Sequence, residues 1–353
     1  MRIIASQGRE GFYEGQIAKK IASEMKKNNG LITEDDLKKY NPIWRKPLIS
    51  NYRDTQIVTM GPPSSGGLHV IQMLNIVENY DLKNIGHNST NYINLLAEVM
   101  KYAYSDRSKY LGDPDFYDVP VEKIISKEYA AEINNNIDIG QSTPVDDIYP
   151  GKFLDRESHE TTHFSVVDKE GNVVSMTYTL NSTFGSKVVI KGTGILMNNE
   201  MDDFSAAPGV PNQFNLLGAD ANAIAPYKRP LSSMTPTIVL KNNELFFTTG
   251  SPGGARIISA VFQSILNIID FKMNLEEATL AKRLHHQWYP DMLEFEFSID
   301  EKINDELTKM NYITRTTLPL TCLQTIMFIE DTYYGYGDFR RVDALASGNI
   351  NVR

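Results

Sequence analysis

Thr161 and Thr162 stand at the head of an alternating run, His163-Phe164-Ser165-Val166-Val167-Asp168, and the first chemistry the chain offers is theirs. A threonine hydroxyl is a weak nucleophile until a base takes its proton, and the α-amino group of the same residue can be that base if it is free. Freeing it requires a cut just before the threonine, so Glu160-Thr161 is a candidate self-cleavage bond. Attack of the Thr161 hydroxyl on the Glu160 carbonyl would form an ester that water opens, dividing the 353 residues after position 160. The liberated amine has an ordinary pKa of roughly 7.7–8.0, which suits a general base near neutral pH. Read alone, the pair is more readily a β-branched opening to a strand.

The same stretch contains a second chemistry. His159-Glu160-Thr161-Thr162-His163 is an HExxH string, the pattern by which two histidines hold zinc while the glutamate serves the metal-bound water. That function needs both histidines on one face of a helix. Here the second histidine opens a strand-like alternation, and the approach contains Pro150 and Gly151. His285-His286 are adjacent and so diverge in any regular element; they read as structural, at a helix exit before Pro290. No metal or other cofactor is expected.

The elements that must position these residues are legible in part. Ile17, Ile21 and Met25 recur at helical spacing in a segment from Phe12 to Lys27, with Gly30 following. Thr33 before Glu34-Asp35-Asp36 is an N-cap signal. Leu48–Tyr52 and Gln56–Met60 read as strands broken by the Gly/Pro/Ser loop 61–67, and a long helix is predicted over Thr90–Tyr110. The first 135 residues are thus expected to be mainly helical. After Thr161 the pattern changes to strands at 162–168, 172–180, 236–240 and 245–249, the last followed by Gly250 and a helix over 255–269. Segment 134–158 is polar and loop-like on the approach to the cleavage bond.

Composition bounds the function. With 41% hydrophobic and 22% charged residues the chain reads as an ordinary globular protein. A net charge of −9 without a basic cluster argues against a nucleic-acid partner. The single cysteine, Cys322, excludes an internal disulfide and a thiolate-rich metal site, and reads as a small buried hydrophobe. Ile257–Phe271 is too short and too polar to span a bilayer. No signal-peptide core follows Met1, so the chain as written is expected to be cytoplasmic.

Five ordered motifs unify the reading: Thr161–Asp168; Thr177-Tyr178-Thr179-Leu180-Asn181; Asn198-Asn199-Glu200-Met201-Asp202-Asp203-Phe204-Ser205; Arg229-Pro230-Leu231-Ser232-Ser233-Met234; and Gly250-Ser251-Pro252-Gly253-Gly254. The series resembles the γ-glutamyltransferase family (γ-glutamyltranspeptidase, glutathione hydrolase), a branch of the N-terminal-nucleophile hydrolases. Pro62-Pro63-Ser64-Ser65-Gly66-Gly67, Tyr102-Ala103-Tyr104-Ser105-Asp106-Arg107 and Leu111-Gly112-Asp113-Pro114-Asp115-Phe116 extend the likeness into that family's large subunit. The resemblance implies an α+β fold, a four-layer αββα sandwich of two mainly antiparallel sheets between helices. It divides the chain into residues 1–160, the C-terminal part of the large subunit, and 161–353, the small subunit with the nucleophile. The two cleaved fragments would stay associated.

The resemblance also implies roles. Thr161 attacks the γ-carbonyl of glutathione or another γ-glutamyl compound, and the acyl group passes to water or to an acceptor amine. Thr179 orients the nucleophile. Asn181, Glu200 and Asp203 hold the substrate's α-ammonium, for which carboxylates suit because charge-assisted hydrogen bonds are the strong ones. Ser232 and Ser233 take the α-carboxylate. Gly253 and Gly254, opening a helix, form the oxyanion hole. Phe214, in a lid at 208–219, replaces a tyrosine common in the family. The chain begins inside the family's large subunit, and the stretch before it would carry central strands and a carboxylate-binding arginine, a role no residue here is assigned. Two further expectations follow: a separate chain supplies that stretch, or the product is an inactive fragment or one half of a split enzyme. Family members are often exported, which sets the localisation expectation against the resemblance.

Overall fold

The computed structural model describes residues 1–148, 162–207, 209–213, 215–319 and 321–348, which form two compact units. The smaller consists of Met1–Lys46 and Leu180–Asn199, the larger of Pro47–Thr179 and Glu200–Arg353. In the smaller, α1 (Arg2–Tyr13) and α2 (Gly15–Lys27) take the place of the single helix predicted over 12–27. The break falls at Glu14, which is extended, and at Gly15, whose φ of +68° lies in the left-handed region that favours glycine. Thr33 caps α3 (Glu34–Lys39) through a reciprocal capping box with Asp36, as the residue types predicted.

The larger unit opens with a hairpin, β1 (Leu48–Tyr52) and β2 (Thr55–Thr59). There follow α4 (Gly66–Val77), buried on all sides, α5 (Leu82–Ile85), α6 (Thr90–Tyr110) with the predicted bounds, α7 (Val121–Ile124) and α8 (Lys127–Asn134). A second hairpin, β3 (Thr162–Val167) and β4 (Val173–Tyr178), begins the described part after the proposed cleavage bond. Two short strands, β5 (Val189–Ile190) and β6 (Ile195–Leu196), belong to the smaller unit, where Ile190 packs with Ile17 and Ile21. The chain continues through β7 (Thr237–Lys241), β8 (Glu244–Thr249), α9 (Arg256–Ile269), α10 (Leu275–Leu280), β9 (Leu284–His285) and β10 (Leu293–Phe295). It ends with α11 (Glu301–Lys309), β11 (Thr314–Thr316), β12 (Gln324–Ile329) and β13 (Thr332–Gly337).

The main sheet has the order β1-β2-β7-β8-β12-β13, each pair antiparallel. Ile57, Val239, Phe247 and Met327 from four of its strands share one core with Val70 and Met73 of α4, Met100 of α6 and Ile258 and Phe262 of α9. Burial of such side chains stabilises a domain by roughly 1.5–3 kcal/mol each. The hairpin β3–β4 lies against the sheet: Ser165 Oγ donates to Gln324 O (3.1 Å), and Ser175 Oγ donates to Thr249 O (3.3 Å). The described layers are therefore helices, the six-stranded sheet and the two-stranded hairpin, in keeping with the expected α+β fold of antiparallel sheets and helices.

The hairpin inverts the usual amphipathic arrangement. His163, Ser165, Ser175 and Thr177 point inward, whereas Phe164, Val166, Val174, Met176 and Tyr178 share the outer face and are 38–54% exposed. Register pairs Phe164 with Met176 and Val166 with Val174, so the five form one contiguous apolar strip.

Candidate active site

Thr161, Glu160, His159 and Phe214 lie outside the described residues. What the structure does show is how their neighbours are held. Thr162 opens β3 and pairs with Tyr178, so Thr179, the next residue and half-buried, returns to the end of β3 that follows the proposed nucleophile. The hairpin thus brings Thr179 beside the start of β3.

His163 fixes this hairpin to the glycine loop. Its ring is buried, with Nδ1 2.8 Å from Thr177 Oγ1 and Nε2 3.3 Å from Ser165 Oγ. Burial depresses its pKa to about 4, which keeps the imidazole neutral. The HExxH reading is thereby corrected: its second histidine sits in a strand, not on a helix face, with both ring nitrogens engaged. His285 and His286 lie in and just after β9 rather than at a helix exit; His285 Nδ1 is 2.8 Å from Ser259 Oγ and His286 Nε2 is 3.2 Å from Asp291 Oδ1.

Gly250-Ser251-Pro252-Gly253-Gly254 runs from the end of β8 to the start of α9. Gly253 and Gly254 have φ of +134° and +56°, and their carbonyls accept from Arg256 N (3.1 Å) and Ile257 N (3.2 Å). Both therefore precede the first turn of a 14-residue helix, where backbone N–H groups and the helix dipole favour negative charge. Ser251 Oγ accepts from Cys322 N (2.9 Å), bracing the loop from β12's side. Cys322 itself is buried and its thiol is pushed up to about 11, so it is no nucleophile at neutral pH.

Glu200 and Asp203 sit in one short turn, both half-buried, with their carboxyl groups hydrogen-bonded to each other. Burial raises both pKa values, and for Asp203 the neighbouring Glu200 raises it further, so the empty pair holds a proton in preference to two charges. Such a pair is an acceptor for a cation. The turn is tied to the serine loop by Asn222, which donates from Nδ2 to Asp203 O (2.7 Å) and accepts at Oδ1 from Leu231 N (3.0 Å). Leu231 is buried with Leu68 and Leu111.

Three motifs that sequence reasoning left without a role are the cradle of that loop. Ser65 N donates to Ser232 O (2.9 Å) and Ser232 N to Pro63 O (2.9 Å), while Ser64 Oγ donates to Met234 O (2.6 Å). Gly66 admits the loop because a Cβ there would lie 2.1 Å from Thr235 Oγ1. Asp113 Oδ2 accepts from Arg229 N (2.8 Å), and a Cβ on Gly112 would meet Ala221 O at 2.0 Å. Arg107, at the end of α6, donates from Nη2 to Ser233 Oγ (3.1 Å) and from Nε to Ser65 Oγ (2.9 Å). Nothing in the sequence singled it out, since Glu98, Lys101 and Asp106 of the same helix are charged and buried as well. Asn181 belongs to the smaller unit; it is buried, has φ +75°, and donates to Asn199 O (3.2 Å).

The larger unit thus joins a hydrogen-bonded carboxyl pair, a serine loop with a cation behind it, and a glycine loop at a helix N-terminus docked on the strand that follows Thr161. Comparison with known proteins identifies the family. The family model described as Gamma-glutamyltranspeptidase matches residues 1–348. The chain is 50% identical over 351 residues to a glutathione hydrolase proenzyme of Escherichia coli, covering 99% of this chain and 60% of that protein's length. Its fold is similar to a solved cephalosporin acylase from Bacillus halodurans, at 28% identity and a TM-score of 0.84 over 99% of this chain and 62% of that one. A solved acivicin-inhibited gamma-glutamyltranspeptidase is 50% identical, with a TM-score of 0.50 over 51% of this chain and 99% of that one. Matched along nearly its full length and carrying the motifs in order, the chain belongs to the γ-glutamyltranspeptidase family.

Proposed function

We propose that this chain carries the self-cleaving, acyl-transferring part of a γ-glutamyl hydrolase or transferase. Thr161, freed by cleavage after Glu160, attacks the γ-carbonyl of a γ-glutamyl amide. Its amine takes the hydroxyl proton and returns it to the leaving amine. The developing oxyanion sits at Gly253 and Gly254, and water or an acceptor amine then receives the γ-glutamyl group.

The observation that carries this reading is the carboxyl pair Glu200/Asp203, linked through Asn222 to the loop of Ser232 and Ser233. Two acids beside hydroxyl donors match the ammonium and carboxylate of an amino-acid head group. A plain acylase has no need of an ammonium acceptor, so a γ-glutamyl anilide should be turned over and a glutaryl anilide, which lacks the α-amine, should not. On a denaturing gel the wild type should run as two pieces, with Thr161 as a new N-terminus, and Thr161→Ala should stay whole. Faster turnover of the glutaryl compound, or an uncut active wild type, would sink the reading.

The partner reading rests on the exposed strip of Phe164, Val166, Val174, Met176 and Tyr178. A strip of this kind marks a surface that another element covers. Since the chain spans 60% of the length of its Escherichia coli relative, the proposed cover is a polypeptide corresponding to the remaining part, in the same chain or a separate one.

A further inference from the structure

Arg107 is 4% exposed, and among the described residues no carboxylate stands within ion-pairing distance of its guanidinium. A buried cation without a counter-ion is rare, because the charged form loses its hydration and gains little in return. Its bonds here are instead to hydroxyls. Nη2 donates to Ser233 Oγ at 3.1 Å and Nε donates to Ser65 Oγ at 2.9 Å, while Ser65 Oγ in turn donates to Ser232 O at 2.8 Å. One guanidinium thus grips both serines of the loop, Ser233 directly and Ser232 through Ser65.

Proton arithmetic gives these contacts a direction. A serine hydroxyl has one proton to donate and two lone pairs, whereas guanidinium can only donate. With one lone pair of Ser233 occupied by Arg107, the hydroxyl proton must point to another acceptor. The positive charge behind the oxygen makes that proton a stronger donor. Burial lowers the guanidinium's pKa, and the Asp203 carboxyl is among the groups that act against this through space.

We propose that Arg107 is a positioning residue for the substrate carboxylate: it orients the Ser233 hydroxyl as a donor and, through Ser65, holds the carbonyl of Ser232, giving the pocket selectivity for ligands that carry an α-carboxylate. This rests on the γ-glutamyl reading for the identity of the ligand, and deepens it by naming what makes the serine pair selective.

The test compares L-glutamate with 4-aminobutyrate, the same molecule without its α-carboxylate, as stabilisers of the full chain in thermal melts. Wild type should respond to L-glutamate at concentrations roughly ten- to a hundredfold lower, the range of a hydrogen bond to a charged group. Arg107→Gln should bring the two ligands to equal potency while leaving the 4-aminobutyrate response in place, which a merely misfolded variant would not do. Arg107→Lys should keep part of the selectivity. Combining Ser233→Ala with Arg107→Lys should cost less selectivity than the sum of the two single losses, because the two act through one hydroxyl, and this cycle decides the matter if the Gln variant does not fold. Undiminished selectivity in Arg107→Gln, additive losses in the cycle, or a wild type that responds equally or not at all would overturn the assignment. A wild type that selects L-glutamate but turns over no γ-glutamyl anilide would refute the reaction and leave Arg107's role standing.

Discussion

His163 rests on Gly250: a Cβ at position 250 would stand 2.1 Å from Cε1 of the imidazole and 2.4 Å from Nδ1. Through this contact the strand that follows the proposed nucleophile and the loop proposed to receive the oxyanion are held in one register. Any side chain at 250 must push them apart.

Gly250→Ala should therefore unfold at lower denaturant concentration, with a loss of about 1–3 kcal/mol from overpacking. Self-cleavage at Glu160-Thr161 should slow in the same variant, read as uncut chain on a denaturing gel over time. Wild-type stability together with a wild-type cleavage rate would show that the ring simply moves aside.

Asp203→Asn should stabilise the unliganded protein at neutral pH while weakening turnover of γ-glutamyl substrates by roughly a hundredfold, since a charge-assisted bond to the ammonium is lost. The sign follows from its raised pKa in the fold. Between the ordinary carboxylate range and that raised value the folded state binds more protons than the unfolded one, so wild-type stability falls as pH rises through this window. The melting-temperature advantage of the variant should accordingly be absent at the acid end of the carboxylate range, grow as pH rises, and then level off. An advantage that is constant from acid to neutral pH would contradict the burial of an ionisable pair at this turn.

Asn222→Ala should raise KM for γ-glutamyl substrates more than it lowers kcat. The side chain touches neither acid nor serine directly, yet its amide joins Asp203 O to Leu231 N and is buried. Leaving those backbone groups without partners costs about 1–3 kcal/mol. Steady-state kinetics with an unchanged KM would show that the acid turn and the serine loop hold their spacing independently.

Replacing Phe164, Val166 and Met176 together by threonine should reduce self-association of residues 1–353 without unfolding the hairpin, because threonine keeps β-propensity and these side chains are exposed. Size-exclusion chromatography with light scattering reads the outcome. If the wild type is monodisperse and the triple variant elutes identically, the strip is no association surface. If the complementary part of the family's sequence, added in trans, binds the triple variant as tightly as the wild type, it does not cover this strip.

What the sequence by itself determined lies where the information is local. The bounds of the helix Thr90–Tyr110, the cap at Thr33 and, to within about two residues, the strands expected at 162–168, 172–180, 236–240 and 245–249 follow from side-chain period, capping residues and turn composition. The break between α1 and α2 was missed although Gly15 was visible, because one glycine in a helical pattern does not announce a left-handed φ. Only the tertiary structure decided which face of the β3–β4 hairpin is covered. Alternation separates His163, Ser165, Ser175 and Thr177 from Phe164, Val166, Val174, Met176 and Tyr178, and hydrophobicity alone would have buried the second set. The opposite occurs because backbone carbonyls at Thr249 of β8 and Gln324 of β12, distant in sequence, accept from the Ser175 and Ser165 hydroxyls, while the His163 ring is held within the hairpin by Thr177 and Ser165. Arg107, Ser65, Ser233, Asn222 and Asp203 likewise stand far apart along the chain, and no periodicity links them. Their conjunction depends on two loops meeting over the ends of α4 and α6, and long-range packing of that kind is a property of the fold rather than of any segment.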